Sequence, residues 1–153
     1  MPEALRTKAI RLLARRERSR AEIQRLLDPH GKDAPRVAAL LDELQSEGWL
    51  SEARLAEHMI NARRARGSAA RVRQEMAQRG LSAEVIAEAT AGLEEGDVQA
   101  ALALWRKRFG RVAVERVERE RQLRFLLNRG FSQAVALRVL RMAGASDSTN
   151  LEE

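Results

Sequence analysis

Glycine spacing constrains this chain more than any other feature. Gly31, Gly80 and Gly130 stand 49 and 50 residues apart, and their surroundings recur with them. An aliphatic residue precedes each glycine by four positions (Leu27, Met76 and Leu126). Leu81 and Phe131 follow the second and third glycines, and Ser82 and Ser132 come next. Val85 and Val135 lie five residues after their glycines, with Val37 one position further on in the first copy. Upstream, Ser19 and Ser68 are also 49 apart, each followed four residues later by Ile23 or Val72. A fixed period of this length is the mark of a repeat architecture.

Each offset has a conformational meaning. Ser19 and Ser68 are read as N-caps, their hydroxyls accepting from first-turn N–H groups. The glycine four residues after the aliphatic position supplies the left-handed residue that ends that helix. Ser82 and Ser132 then cap the next helix at once, making a tight corner. The first copy is looser, running through Asp28-Pro29-His30-Gly31-Lys32-Asp33, with Pro35 near the start of its next helix. Apolar spacing at Ile10 and Leu13, at Ile23, Leu26 and Leu27, and at Val37, Leu40, Leu41 and Leu44 also follows a helical period. Three helices per repeat are therefore expected, near 4–16, 20–28 and 34–46, then 51–65, 69–79 and 83–92, then 97–109, 115–129 and 133–143. The fold class is all-α, with repeats at 1–48, 49–94 and 95–143 and a flexible acidic tail at 144–153. Stacking of such thin modules predicts an elongated, curved array.

Composition narrows the chemistry. There is no cysteine, which removes thiol nucleophiles, disulfides and thiolate metal sites. His30 and His58, the only histidines, have no ligand-like neighbours at metal spacing. No glycine-rich phosphate loop is present, because Gly92 and Gly96 lack a following Gly-Lys-Ser/Thr. The expectation is a protein that is not an enzyme, with no catalytic residue, metal or cofactor. No apolar stretch approaches the roughly 20 residues needed to span a bilayer, so a cytoplasmic protein without membrane contact is expected. No heptad seam is sustained, which favours a monomer.

The formal charge is +6, and nearly all the basic residues are arginine. Arginine's planar fork suits phosphate and carboxylate recognition, although a genomic bias toward Arg and Ala explains the surplus as well. Two basic corners recur at equivalent places, Arg15, Arg16, Arg18 and Arg20 around Ser19, and Arg63, Arg64, Arg66, Arg71 and Arg73 around Ser68. Arginines beside helix N-terminal amides make a place for a phosphate or carboxylate. A solvated face balanced by Glu57 and Glu75 is the competing explanation for the second corner. A third cluster, residues 106–129, includes Arg124 and Arg129, but its interleaved Glu115, Glu118 and Glu120 suggest much local neutralisation.

The segment Gly48-Trp49-Leu50-Ser51-Glu52-Ala53-Arg54-Leu55-Ala56 opens an ordered set of short motifs. Arg66-Gly67, Val72, Glu75-Met76 and Arg79-Gly80 follow, then Leu126-Leu127-Asn128-Arg129-Gly130-Phe131. In order and spacing this resembles the RecX family, bacterial regulators of the RecA recombinase, over residues 4–143. Ser51, Leu55, Ser68 and Arg79 depart from the residues usual in that family at those places (Asp, an aromatic, Pro and Lys). The resemblance implies binding to the RecA protein filament, with inhibition or modulation of strand exchange, ATP hydrolysis and co-protease activity. It adds Arg79 to the interface residues, beside Arg124 and Arg129, with weak, phosphate-directed contact to DNA. A stand-alone helical DNA-binding protein, acting as a transcriptional or nucleoid factor, is the alternative. Trp49, Leu50, Trp105 and Phe131 are expected to pack inside or between repeats.

Overall fold

A computed structural model describes residues 2–151, which form nine α-helices and two short 3₁₀ turns, with no strand among the described residues. The helices are α1 (Pro2–Arg15), α2 (Arg20–Leu27), α3 (Ala34–Ser46), α4 (Glu52–Arg63), α5 (Ala69–Gln78), α6 (Ala83–Ala89), α7 (Asp97–Arg108), α8 (Arg116–Asn128) and α9 (Gln133–Leu151). The 3₁₀ turns cover Arg64–Arg66 and Leu93–Gly96. This is the expected all-helical repeat fold.

Serine starts the helices as read. Ser19 forms a capping box with Glu22. The hydroxyls of Ser51, Ser68, Ser82 and Ser132 accept from the N–H groups of Arg54, Arg71, Val85 and Val135 at 3.0–3.2 Å. Two of the repeat glycines end helices in the same way. Leu81 N–H reaches the Met76 carbonyl at 3.2 Å and Gly80 N–H the Ala77 carbonyl at 3.0 Å. Fifty residues on, Phe131 N–H reaches Leu126 at 3.3 Å and Gly130 N–H reaches Leu127 at 3.0 Å. Both are Schellman turns, and both need the positive φ that glycine supplies, +84° at Gly80 and +92° at Gly130. The inward positions repeat too, since the sequence of buried and exposed residues over 71–80 is reproduced in 121–130.

Three expectations need correction. Gly31 does not terminate α2, which ends at Leu27 with Asp28 as its C-cap. Instead the Asp28 carboxylate accepts from the N–H groups of Lys32 and Asp33 at 3.0 Å, and these two bonds hold the loop that carries the chain to α3. Trp49 does not pack inside, for it is 42% exposed while Leu50 is buried. Both N–H groups meet the Leu44 carbonyl, and of the two consecutive side chains leaving that turn only Leu50 joins the core. Finally, α9 does not stop near residue 143 but continues through Gly144 to Leu151, because no proline or cap intervenes. Residues 152–153 of the expected tail lie outside the described residues.

By internal contacts the chain forms two compact units, Met1–Met59 with Glu75–Ala89, and Ile60–Gln74 with Thr90–Glu153. The first holds a core of Ala9, Leu13, Ile23, Leu27, Val37, Leu41, Leu44 and Leu50. In the second, Trp105, Leu126, Phe131, Val139 and Leu140 anchor the core. Trp105 and Phe131 thus pack as expected, and the Trp105 indole N–H donates to the buried Gln122 side chain at 2.9 Å. Gln122 in turn donates to the Arg111 carbonyl at 3.0 Å, holding the loop before α8.

Candidate partner and nucleic-acid interface

In the first unit the corner before α2 closes against the end of α5. The buried Ser19 hydroxyl accepts from Glu22 N–H at 3.1 Å and donates to the Arg79 carbonyl at 2.6 Å. Glu22 accepts from Ser19 N–H at 3.0 Å and from Arg79 Nη2 and Nε at 2.9 and 3.1 Å. Burial pushes the Glu22 carboxyl up, but the Ser19 N–H and the Arg79 guanidinium outweigh it and hold it below the usual carboxylate range. A Cβ on Gly80 would sit 2.8 Å from the Ala21 Cβ, so the close approach itself demands glycine.

Most of the basic residues read as interface candidates in this corner are therefore structural. Arg79 is tied to Glu22, and Arg20 to Asp42, Gln45 and the Ala38 carbonyl. Arg54, within the Gly48–Ala56 motif, pairs with Glu17 and donates to the Gly48 carbonyl at 3.0 Å. Arg18 donates to the Leu12 carbonyl at 3.4 Å, and burial, then the charge of Arg16, pull its pKa below the usual value. Arg15 and Arg16 are exposed and form no ion pair among the described residues.

The second unit repeats the corner with different side chains. Ser68 N–H donates directly to the Arg129 carbonyl at 3.1 Å, while its hydroxyl caps Arg71 N–H at 3.0 Å. A Cβ on Gly67 would meet the Arg129 carbonyl at 2.8 Å, and one on Gly130 would meet Ser68 Oγ at 2.6 Å. Arg64 lies behind this corner, bonded to Asp97 at 2.6 Å, to the Leu93 carbonyl at 2.8 Å and to the Gly67 carbonyl at 3.2 Å. Asp97 also accepts from Ala69 N–H at 3.0 Å, satisfying an orphan donor at the start of α5. Arg73 pairs with Glu94, and Arg63 is half-buried and partnered.

Arg71 and Arg129 reach backbone carbonyls across the same corner, and Arg66 is exposed beside it. Arg129 donates to the Arg66 carbonyl at 3.3 Å, and Arg71 donates to the Asn128 carbonyl at 2.9 Å. Arg129 also lies 5.2 Å from the centroid of Phe125 and has no ion pair among the described residues. Arg124 is exposed on the same helix and likewise carries no ion pair. The interleaved acids neutralise less than their spacing suggests, since Arg116–Glu120 is the i,i+4 pair that forms on α8. Sequence reading missed Phe109 and Phe125, whose rings meet edge to face at 5.3 Å and 87°. Their separation across a helix and a turn gives no periodic signal.

Residues 51–89 match the family description "RecX, second three-helix domain", and residues 95–140 match "RecX, third three-helix domain". The Regulatory protein RecX of Ralstonia pickettii (strain 12J) is 42% identical over 146 residues, 95% of this chain and 91% of that protein. That of Chromobacterium violaceum is 37% identical over 151 residues, 99% and 97% of the two chains. The crystal structure of RecX from Lactobacillus salivarius shares the fold, with a TM-score of 0.80 over 94% of this chain and 97% of that one, at 13% identity. At this identity and coverage, the chain belongs to the RecX family of regulatory proteins.

Proposed function

We propose that this protein regulates recombination by binding the RecA–DNA filament as a monomer in the cytoplasm, mainly inhibiting its recombinase, ATPase and co-protease activities. The observation that carries this reading is the 42% identity to a Regulatory protein RecX over 95% of the chain. The basic corner at Ser68 supports it, because Arg66 and Arg129 hold cationic groups at the surface without ion pairs among the described residues. Such groups suit either an acidic protein surface or DNA phosphates. Arg15, Arg16 and Arg124 offer further phosphate-directed contacts. The chain acts here as a binding protein and performs no chemistry of its own.

The deciding experiment is the DNA-dependent ATPase of RecA with increasing amounts of this protein. Suppression at substoichiometric or stoichiometric ratio is expected, and an unchanged rate at stoichiometric ratio overturns the proposal. A stand-alone DNA-binding role is supported by the tight turn between α5 and α6, with its Schellman glycine and Ser82 cap. A footprint on a defined duplex that persists as salt rises would favour that reading, since phosphate contacts alone weaken steeply with salt.

A further inference from the structure

We propose that the cleft between the C-terminal ends of α7 and α8 binds single-stranded nucleic acid, stacking bases on Phe109 and Phe125 and taking phosphates on Arg108, Arg121 and Arg124. This rests on the reading of the protein as a partner of a DNA-bound filament, and adds where a strand touches it. The cleft has a volume of about 220 Å³ and is lined by Arg108, Phe109, Arg121, Arg124, Phe125 and Asn128. No carboxylate lines it. Arg121, Arg124, Phe125 and Asn128 follow one stripe of α8, spaced by three and four residues, so one helix face carries both the ring and the charges.

Aromatic faces beside backbone-tracking cations are what single-strand binding requires. Phe109 and Phe125 are each half-buried, so they are fixed in place but still present ring surface. Cations already lie against these rings, Arg108 5.7 Å from the Phe109 centroid and Arg129 5.2 Å from that of Phe125, so a base stacks by displacing a guanidinium from a ring face and leaves that cation beside its phosphate. Among the described residues Arg108, Arg121 and Arg124 enter no ion pair, so phosphates need not displace a carboxylate. The negative end of the α8 dipole would repel a phosphate here. Arg71 counters that field by donating to the Asn128 carbonyl at 2.9 Å. A duplex keeps its bases stacked away from such a cleft, and an acidic peptide brings charge without a planar ring for the phenylalanines. An unpaired strand supplies both.

Fluorescence anisotropy of the full chain tests this with a labelled oligothymidine, an abasic strand of equal length and a duplex. The thymidine strand is expected to bind about tenfold tighter than the abasic strand, in keeping with stacking on aromatic side chains. Phe125→Leu retains apolar bulk and should erase that preference. Arg121→Ala and Arg124→Ala, both at exposed positions, should weaken both strands and reduce the salt slope by about one each. Equal affinity of the native protein for thymidine and abasic strands overturns the proposal. So does displacement of the strand by an acidic peptide at equal charge concentration, or arginine variants no weaker than Arg25→Ala on α2. Strand preference without any effect on RecA ATPase leaves the cleft assigned and rejects the regulatory reading. ATPase suppression without strand preference does the reverse.

Discussion

At the Ser19–Gly80 corner the third residue of the helix is Glu22, whereas at the Ser68–Gly130 corner it is Arg71. Glu22 occupies the N–H of Ser19 and the guanidinium of Arg79, and this leaves the serine hydroxyl to bond the carbonyl of Arg79. With arginine in that place, the N–H of Ser68 bonds the Arg129 carbonyl directly, and Arg129 turns to a backbone oxygen and an aromatic ring. The same backbone turn thus closes through a carboxylate in one unit and through backbone carbonyls in the other. A repeat can keep its geometry while one substitution changes which groups close the corner.

The two corners differ most in their dependence on Asp97, which serves only the second. Asp97→Ala strands Arg64 and the Ala69 N–H in a largely buried setting, and should lower stability by about 3 kcal/mol, read as a shift in the urea midpoint. Gly80→Ala and Gly130→Ala each combine a left-handed conformation with a contact under 3 Å, and should lower stability by about 2–3 kcal/mol. Gly31→Ala meets nothing within 4 Å and should lose about 1 kcal/mol. Adding Ala21→Gly should recover part of the Gly80→Ala loss and none of the Gly130→Ala loss, because only Gly80 faces Ala21.

Electrostatic substitutions are smaller and more pointed. Glu22→Gln should remove about 1.5 kcal/mol at neutral pH. Because the folded pKa of Glu22 lies below its unfolded value, its stabilisation is complete above the unfolded pKa of about 4.3. That contribution falls away as pH drops through the lower folded value. Urea midpoints of the wild type and Glu22→Gln should therefore converge below pH 4.3 or so; a constant difference across that range would show that the carboxylate charge is not the cause. The smallest stability effect is expected from Arg71→Glu, which installs the side chain of the first corner in the second. The bond from Arg71 to the Asn128 carbonyl is lost and the Ser68 N–H is already taken by the Arg129 carbonyl, so stability should fall by about 0.5 kcal/mol while oligonucleotide binding weakens.

Most helix boundaries were legible because serine caps and Schellman glycines act locally, within four or five residues, whereas the ends of α2 and α9 carry neither signal. The pairing of corners was half legible. Ser19 to Gly80 and Ser68 to Gly130 are 61 and 62 residues apart, a second recurrence that the 49–50 period implies but does not interpret. What escaped is the division of labour among arginines. Arg20, Arg64 and Arg79 look like surface charges in a basic run, yet their carboxylate partners stand 22 to 57 residues away. No local pattern separates an arginine that closes a helix end from one left for a partner. The Phe109–Phe125 contact escaped for the same reason, since only the fold brings those rings together.

The two tryptophans give each unit its own optical reporter. Trp49, 42% exposed in the first unit, should emit at long wavelength and be quenched readily by iodide or acrylamide. Trp105, 5% exposed in the second and bonded to Gln122, should emit to the blue and resist quenching. Single-tryptophan variants would then allow the unfolding of either unit, or the arrival of a ligand near it, to be followed separately in one unlabelled protein.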